Sequence, residues 1–402
     1  MLSRMAVLGA LILVAPLCAA DPTPKFFGAK PGSLAKAKER IAGGDKDLAK
    51  ALKTLLSDAD KALLKTPPTV TERSKPSPNG DKHDYMSLAP YFWPDPAKKD
   101  GLPYLRHDGK TNPESRDPKL NDNQRVTLMA NSVETLALAY YFTGKESYAE
   151  HAAKFVRVWF LDSATRMNPH LKYAQAVLGK NDGRGAGILE GRHLAAAADA
   201  IGLLVKSKAW KSVDQKALNA WFDAYLDWLL TSESGKQEQA AKNNHGSHYD
   251  VQAARLALCL GRDDAARAMI EAAKQRRVAA QFEPDGTQPQ ELKRTASFSY
   301  SCFNLEALAD LANLGEHVGV DLWRFATLDG RSMRRGIEYM LPYLDKPAKK
   351  WPYEQIKDDG GTKFLPVVLQ ASLAYENAAE FRQVLAKYPE TRTKRFNLLY
   401  AR

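Results

Sequence analysis

Phe303-Asn304-Leu305-Glu306-Ala307-Leu308-Ala309-Asp310-Leu311 is the stretch that decides the fold. Leu305, Leu308 and Leu311 recur with Phe303 just ahead of them, the three-to-four-residue rhythm of a buried helical face. The same spacing returns on both sides. Toward the N-terminus it predicts helices over 251–260, 265–280, 217–230, 187–204 and 148–159. Leu128, Val133, Leu136, Leu138 and Tyr140 mark another, ending at Thr143-Gly144. The charged region 33–64 is helical with a break near Gly43-Gly44, and two more helices fit 332–344 and 365–385. No sustained alternating run of the kind a sheet needs is present. Helix pairs joined by Gly- and Pro-marked turns, without a fixed-period repeat, predict an all-α fold. The expected architecture is an (α/α) toroid, or incomplete helical barrel, with an α-solenoid as the alternative. Residues 66–118 interrupt the pattern with a long loop dense in Pro, Gly and aromatics, including Tyr85, Tyr91, Phe92, Trp93 and Tyr104. Loops of that length inside a compact protein are usually functional, and the aromatic content argues against disorder.

The chain begins with a segment that reads as a cleavable export signal. Arg4 precedes an apolar core over 6–14, and Cys18-Ala19-Ala20 supplies small residues before Asp21. Cleavage after Ala20 is expected; Leu17 is large for the position before a lipid-modified cysteine, which disfavours a lipid anchor at Cys18. This reading makes residues 21–402 a single exported domain, periplasmic or secreted, with no membrane anchor. Loss of Arg4 and of no acid takes the formal charge from +11 to +10. A basic excess outside the cytoplasm points to a polyanion other than nucleic acid, and no nucleic-acid-binding signature is found. Acidic polysaccharide is the partner this implies; a lysine-solubilised surface is the plainer reading. Cys259 and Cys302 sit in apolar helical surroundings, so free thiols are expected ahead of one disulfide.

Chemistry concentrates in Asn243-Asn244-His245-Gly246-Ser247-His248-Tyr249 and, about fifty residues on, in Glu291-Leu292-Lys293-Arg294 and Tyr300. An imidazole, a phenol, a guanidinium and two carboxamides together suit removal of a proton alpha to a sugar carboxylate. His245-x-x-His248 with Asp250 nearby also has metal-ligand spacing, but no third convincing ligand accompanies it. No metal or cofactor is expected.

A family resemblance joins these parts. Ser87-Leu88-Ala89-Pro90-Tyr91-Phe92-Trp93-Pro94, Tyr148-Ala149-x-x-Ala152 with Trp159-Phe160, Thr165-Arg166-Met167-Asn168-Pro169-His170-Leu171-x-Tyr173-Ala174-Gln175 and Gly183-Arg184-Gly185 carry it. From about Tyr85 to Tyr300 the chain resembles the alginate lyase superfamily of α/α-toroid polysaccharide lyases, in the branch containing alginate and glucuronan lyases. The resemblance implies an active site of an Asn-His pair, an Arg and a Tyr, matched here by Asn244, His245, Arg294 and Tyr300.

A lyase of this kind removes the C5 proton of a uronate and expels the O4 oxygen. The proton is acidic enough only when donors neutralise the adjacent carboxylate, a role suited to Asn244, His245 and Arg294. The Arg294 cation is expected to lower the Tyr300 pKa, so that a tyrosinate takes the proton and the phenol then serves the leaving oxygen. That double duty fits mannuronate, where both groups lie on one face; with opposite faces, His245 is the base and Tyr300 the acid. Tyr91, Trp93, Tyr173 and Gln175 are candidate sugar contacts, with Asn243, Tyr249 and His193 beside the cleft. Arg166, Arg184, Arg116 and Arg125 are candidate carboxylate clamps. Each of these aromatics also has a core-packing reading, and each arginine a surface one. The function expected is β-elimination on a β-1,4-linked polyuronate, mannuronate-rich alginate first and glucuronan second. A glycoside hydrolase using Glu283, Asp285 or Glu291, and a non-catalytic polyanion-binding protein, are the other classes.

Overall fold

Asp45 accepts hydrogen bonds from the backbone N–H groups of Asp47 and Leu48, and this cap separates helix α1 (Ser33–Ala42) from α2 (Lys46–Leu63). The structure, a computed structural model, describes residues 23–345, 347–357 and 360–401. The export signal expected over 1–20 lies outside the described residues. After α2, the long connection carries strands β1 (Met86–Leu88), β2 (Phe92–Trp93) and β3 (Leu105–Arg106). Helices α3 (Asn123–Thr143) and α4 (Glu146–Val156) form a hairpin at Gly144, whose φ of 69° suits glycine. Strand β4 (Tyr173–Ala176) precedes α5 (Arg192–Ile201), α6 (Ser212–Thr231), α7 (Glu233–Gln239), α8 (Asn244–Cys259) and α9 (Asp263–Ala273). The short α10 (Pro289–Leu292) leads into α11 (Ser297–His317), then α12 (Met333–Met340), α13 (Pro347–Lys350), α14 (Leu365–Ala374) and α15 (Ala379–Ala386).

The helices sort into two layers by the distribution of their apolar residues. Helices α3, α8 and α11 bury residues on nearly every side, which is the pattern of helices enclosed by others. They form an inner layer in which α3 packs on α5, α5 on α8, α8 on α11 and α11 on α14. Alanines at 195, 197 and 198 in α5, at 253, 254 and 257 in α8, and at 307, 309 and 312 in α11 let these backbones approach. The outer helices α4, α9, α12 and α15 each pack on the inner helix before them. That inner-outer alternation is the α/α toroid expected from the sequence.

Residues near the N-terminus close the end of the inner layer away from the cleft. The backbone N–H groups of Phe27 and Gly28 donate to the Asp199 carboxylate on α5, both at 2.7 Å. His317 at the end of α11 bonds the Ala29 carbonyl at 2.9 Å, and the Lys30 N–H reaches the Leu399 carbonyl at 3.1 Å.

Three local features differ from the sequence reading. Four short strands exist, β1 pairing with β4 in parallel and β2 with β3 antiparallel; none is long enough to show alternation. The helix expected over 365–385 is two, because Tyr375 turns extended (φ −99°, ψ 137°) and donates its buried hydroxyl to the Trp323 carbonyl at 2.9 Å. Helix α8 begins seven residues before 251, so the Asn-Asn-His stretch is its cap and first turn. Cys259 and Cys302 are free thiols. No helix among the described residues is long and apolar enough to cross a membrane.

Candidate active site

Where α5, α8 and α11 begin, a cleft of about 760 Å³ opens between them and the long loop. Its wall carries Arg106, Arg184, Arg192, Lys293 and Arg294 against one carboxylate, Asp108, among the described residues. Arg192, Asn244 and Tyr300 each come from the first turn of their helix, so the positive ends of the helix dipoles add to this field.

The local sequence explains how α8 presents its first turn. Asn243, in extended backbone, caps the helix by accepting the His245 N–H at 3.3 Å. A Cβ on Gly246 would lie 2.1 Å from the Ala241 carbonyl oxygen and 2.4 Å from the Arg277 guanidinium. Glycine there lets buried Arg277 donate to the carbonyls of Ala241 and Gln239, both at 2.7 Å, while pairing with Asp250 at 2.8 Å. This clamps the connector between α7 and α8.

The clamp matters because α7 carries Glu238. Its buried carboxylate lies 2.6 Å from Nδ1 of His245. A carboxylate at that distance keeps the proton on Nδ1 and leaves Nε2 as the atom turned toward the cleft. Asn244 is fixed in a similar way. Its backbone N–H and Nδ2 donate to the two oxygens of buried Glu291, at 2.6 and 2.8 Å. Asn244 is itself fully buried at the cleft wall, and its Oδ1 has no hydrogen-bond partner among the described residues.

Tyr300 shows the largest departure from the sequence reading. Arg294 does stack on its ring, 3.6 Å from the centroid, but Asp108 grips that guanidinium with two hydrogen bonds of 2.8 and 2.9 Å. Burial and the hydrogen bond to Tyr91, 2.7 Å between the hydroxyls, outweigh the cation. The phenol pKa therefore lies well above its ordinary value, and the expectation of an arginine-lowered phenol is corrected. Tyr300 is thus a proton donor, to the Tyr91 hydroxyl.

Gln175 lines the cleft with a φ of 52°, the left-handed region that non-glycine residues seldom occupy. Its N–H donates to the Ser87 hydroxyl at 2.8 Å, and its Oε1 accepts from Arg184 at 2.8 Å. Arg184 also sits over the Phe92 ring, 5.1 Å from the centroid.

Asn243, Asn244, His245, Gln175, Arg184, Arg294, Tyr91 and Tyr300 are thus brought together around one cleft. Several other candidates do not line it. Trp93 sits beside Phe92 on a strand, where neighbouring side chains face opposite ways, and its indole donates to the Lys110 carbonyl at 2.9 Å. Phe92 takes the cleft side instead, with its cross-strand partner Arg106. Tyr249 is buried, its hydroxyl on the Leu229 carbonyl at 3.1 Å, and Tyr173 is buried beside His170. His193 faces Thr127 on α3 at 3.3 Å, and burial and the Arg192 charge pull its pKa down to about 3. Arg166 is exposed, its carbonyl taken by His83; Arg125 binds Glu72 and Asp122. His248 stacks on Phe303, and Asp250 is held by Arg276 and Arg277. Asp108, Glu238, Arg192 and Phe303 were missed by sequence reasoning. Only the strand partnership of Phe92 with Arg106, two residues before Asp108, leaves a signal that could have pointed to that loop.

A helical toroid with an Asn-His pair and a half-buried tyrosine in a basic cleft defines a polysaccharide lyase. The alginate lyase family model matches residues 69–351, and the chain belongs to that family. The crystal structure of an alginate lyase from Bacteroides ovatus superposes with a TM-score of 0.89 at 42% identity, over 94% of this chain and 100% of that one. Alginate lyase A1-III from Sphingomonas species A1 shares the fold, with a TM-score of 0.56 at 16% identity over 89% of this chain and 91% of that one. A histidine-to-alanine variant of A1-III, complexed with a tetrasaccharide, gives a TM-score of 0.57 at 16% identity, over 91% of this chain and 92% of that one. No curated protein matches the chain.

Proposed function

We propose that residues 21–402 act as one exported lyase domain that cleaves β-1,4-linked polyuronate, mannuronate-rich alginate by preference, leaving a 4,5-unsaturated uronate end. The observation that carries this reading is the cleft itself. A protonated Tyr300 and the Nε2 face of His245 meet in a groove whose basic side chains outnumber its acids five to one. An acidic polysaccharide suits that field, and the Bacteroides ovatus relative is an alginate lyase.

In this mechanism Asn244 and the cationic wall meet the uronate carboxylate and stabilise the charge that develops as the C5 proton leaves. On mannuronate, where the C5 proton and O4 share a face, a Tyr300 that holds its own proton cannot serve as the base expected from the sequence; His245 Nε2 takes the C5 proton instead, with Glu238 holding the ring. Tyr300 gives its proton to the departing O4, and the raised pKa keeps that proton on the neutral phenol at neutral pH until then. Mannuronate and glucuronate share the configuration at C4 and C5 and differ at C2, so one site geometry serves both. Guluronate, inverted at C5, places the proton on the other face.

Hydrolysis has less support. Glu291 is spent on Asn244, Glu283 pairs with Arg331, and Asp285 bonds Thr287; the only carboxylate lining the cleft among the described residues is Asp108, held by two arginines. A hydrolase needs two carboxyl groups across the bond. The test is the relative rate of unsaturated product on polymannuronate, polyguluronate and glucuronan. Fastest turnover of polymannuronate supports the proposal, and fastest turnover of glucuronan moves the substrate to the C2 epimer. Sequencing the N-terminus of the exported protein checks cleavage after Ala20.

A further inference from the structure

Asp108 lies in the turn after β3, 186 residues from Arg294, and the mechanism above gives it no role. Its placement is nonetheless well determined. Both carboxylate oxygens bond Arg294, at 2.8 and 2.9 Å, and one of them also meets Arg106 at 2.8 Å. The next residue, Gly109, has a φ of 73°, and a Cβ there would lie 2.5 Å from the Thr295 hydroxyl. The turn is therefore shaped to press its carboxylate onto the connector that leads into α11. Arg294 in turn lies flat on the Tyr300 ring at 3.6 Å. The order is carboxylate, guanidinium, phenol.

We infer that Asp108 is a positioning residue for the proton-transfer step, acting through Arg294 to hold that cation on the face of Tyr300 and to cancel its charge there. A bare guanidinium at that distance would favour the tyrosinate and weaken the phenol as a keeper of its proton. With Asp108 in place, the Asp108–Arg294 pair presents little net charge. Burial and the Tyr91 hydroxyl then dominate, in agreement with the raised Tyr300 pKa. The pair is itself tight: against burial that would raise it, Arg294 holds the Asp108 carboxyl well below the ordinary range.

The other charged groups facing Tyr300 do not replace Asp108. Across the cleft stand His245 and Lys293. A smaller cavity of about 250 Å³ on the other side of the Tyr91–Tyr300 wall holds Glu306, Lys357 and Lys363. None of these makes a hydrogen bond to Arg294; Glu291 also bears on the Arg294 charge, but both its oxygens are taken by Asn244, so Asp108 is the carboxylate that cancels it directly.

This inference rests on the proposed role of Tyr300, and its test includes a readout that needs no substrate. Ultraviolet titration of tyrosinate, with the Tyr300→Phe spectrum subtracted, would be run in the unaltered chain, in Asp108→Asn and in Asp108→Glu. Asp108→Asn is expected to lower the Tyr300 midpoint by about one pH unit or more, and to move the alkaline limb of kcat/KM the same way. Asp108→Glu, which keeps the charge, should restore the original midpoint. An Asp108→Asn protein with native circular dichroism and an unmoved midpoint would overturn the inference, as would an equal shift in Asp108→Glu. A chain that yields no unsaturated product would sink the proposed function, while the titration would still decide the role of Asp108.

Discussion

Glu238 Oε1 lies 2.6 Å from Nδ1 of His245, joining two helices through a hydrogen bond whose acceptor is buried. The contact spans seven residues of sequence yet depends on the clamp that Arg277 places on the connector between them. It occupies Nδ1 and leaves Nε2 as the imidazole nitrogen free to act in the cleft.

Glu238→Gln can present its amide nitrogen or oxygen to Nδ1 but removes the charge that fixes the tautomer. A charge-assisted hydrogen bond contributes about 1.5–3 kcal/mol, so kcat should fall by roughly one to two powers of ten with KM little changed. Steady-state kinetics beside a thermal melt checks this; an unchanged kcat would free His245 from its orienting partner.

Tyr300→Phe removes the proposed donor to O4 and the bond to Tyr91 while keeping the ring under Arg294. Loss of a general acid costs about 10²–10⁴ in rate. Calorimetry should show oligomannuronate still binding, because the cationic wall is untouched. Loss of binding together with rate would assign Tyr300 to recognition instead.

Arg277→Ala should be costly to the fold. Arg277 is 1% exposed, so removing it leaves buried Asp250 with Arg276 alone and frees the Ala241 and Gln239 carbonyls, at up to about 3–5 kcal/mol. The denaturant midpoint should drop accordingly, and activity should fall at temperatures where the protein is still folded. A midpoint within experimental error of the original would mean that Arg276, already 2.8 Å from Asp250, satisfies the carboxylate alone.

His193 gives a pH prediction with a definite sign. Its folded pKa, about 3, lies below the unfolded value of 6.5, so the unfolded chain takes up a proton that the folded chain refuses. The stability it lends is complete above pH 6.5 and is lost as pH falls toward 3, at up to about 1.4 kcal/mol per unit. Other buried acids also contribute, so the comparison is with His193→Gln. Denaturant unfolding at several pH values should show a shallower acid-side loss in the variant, and parallel curves would contradict the assignment.

The toroid was legible because its inner helices carry their apolar residues at helical spacing, as Leu305, Leu308 and Leu311 do. The break at Tyr375 was not, since the apolar rhythm continues across it and a tertiary bond to Trp323 sets the turn. Asn244, His245, Arg294 and Tyr300 could be picked out by residue type and family resemblance, and the fold gathers them at one cleft. Glu238 and Asp108 were not, because their roles come from hydrogen bonds that only folding creates. Trp93 was a candidate sugar contact and Phe92 was not; a two-residue strand puts Phe92 at the cleft instead.

The most direct test of the account is ultraviolet absorbance of an unsaturated product from purified protein on polymannuronate, with His245→Ala and Tyr300→Phe measured alongside. The account predicts a steady rise for the unaltered chain and its loss in both variants. Reducing ends that accumulate without any rise in absorbance would contradict it, since only hydrolysis cuts the chain without leaving a double bond.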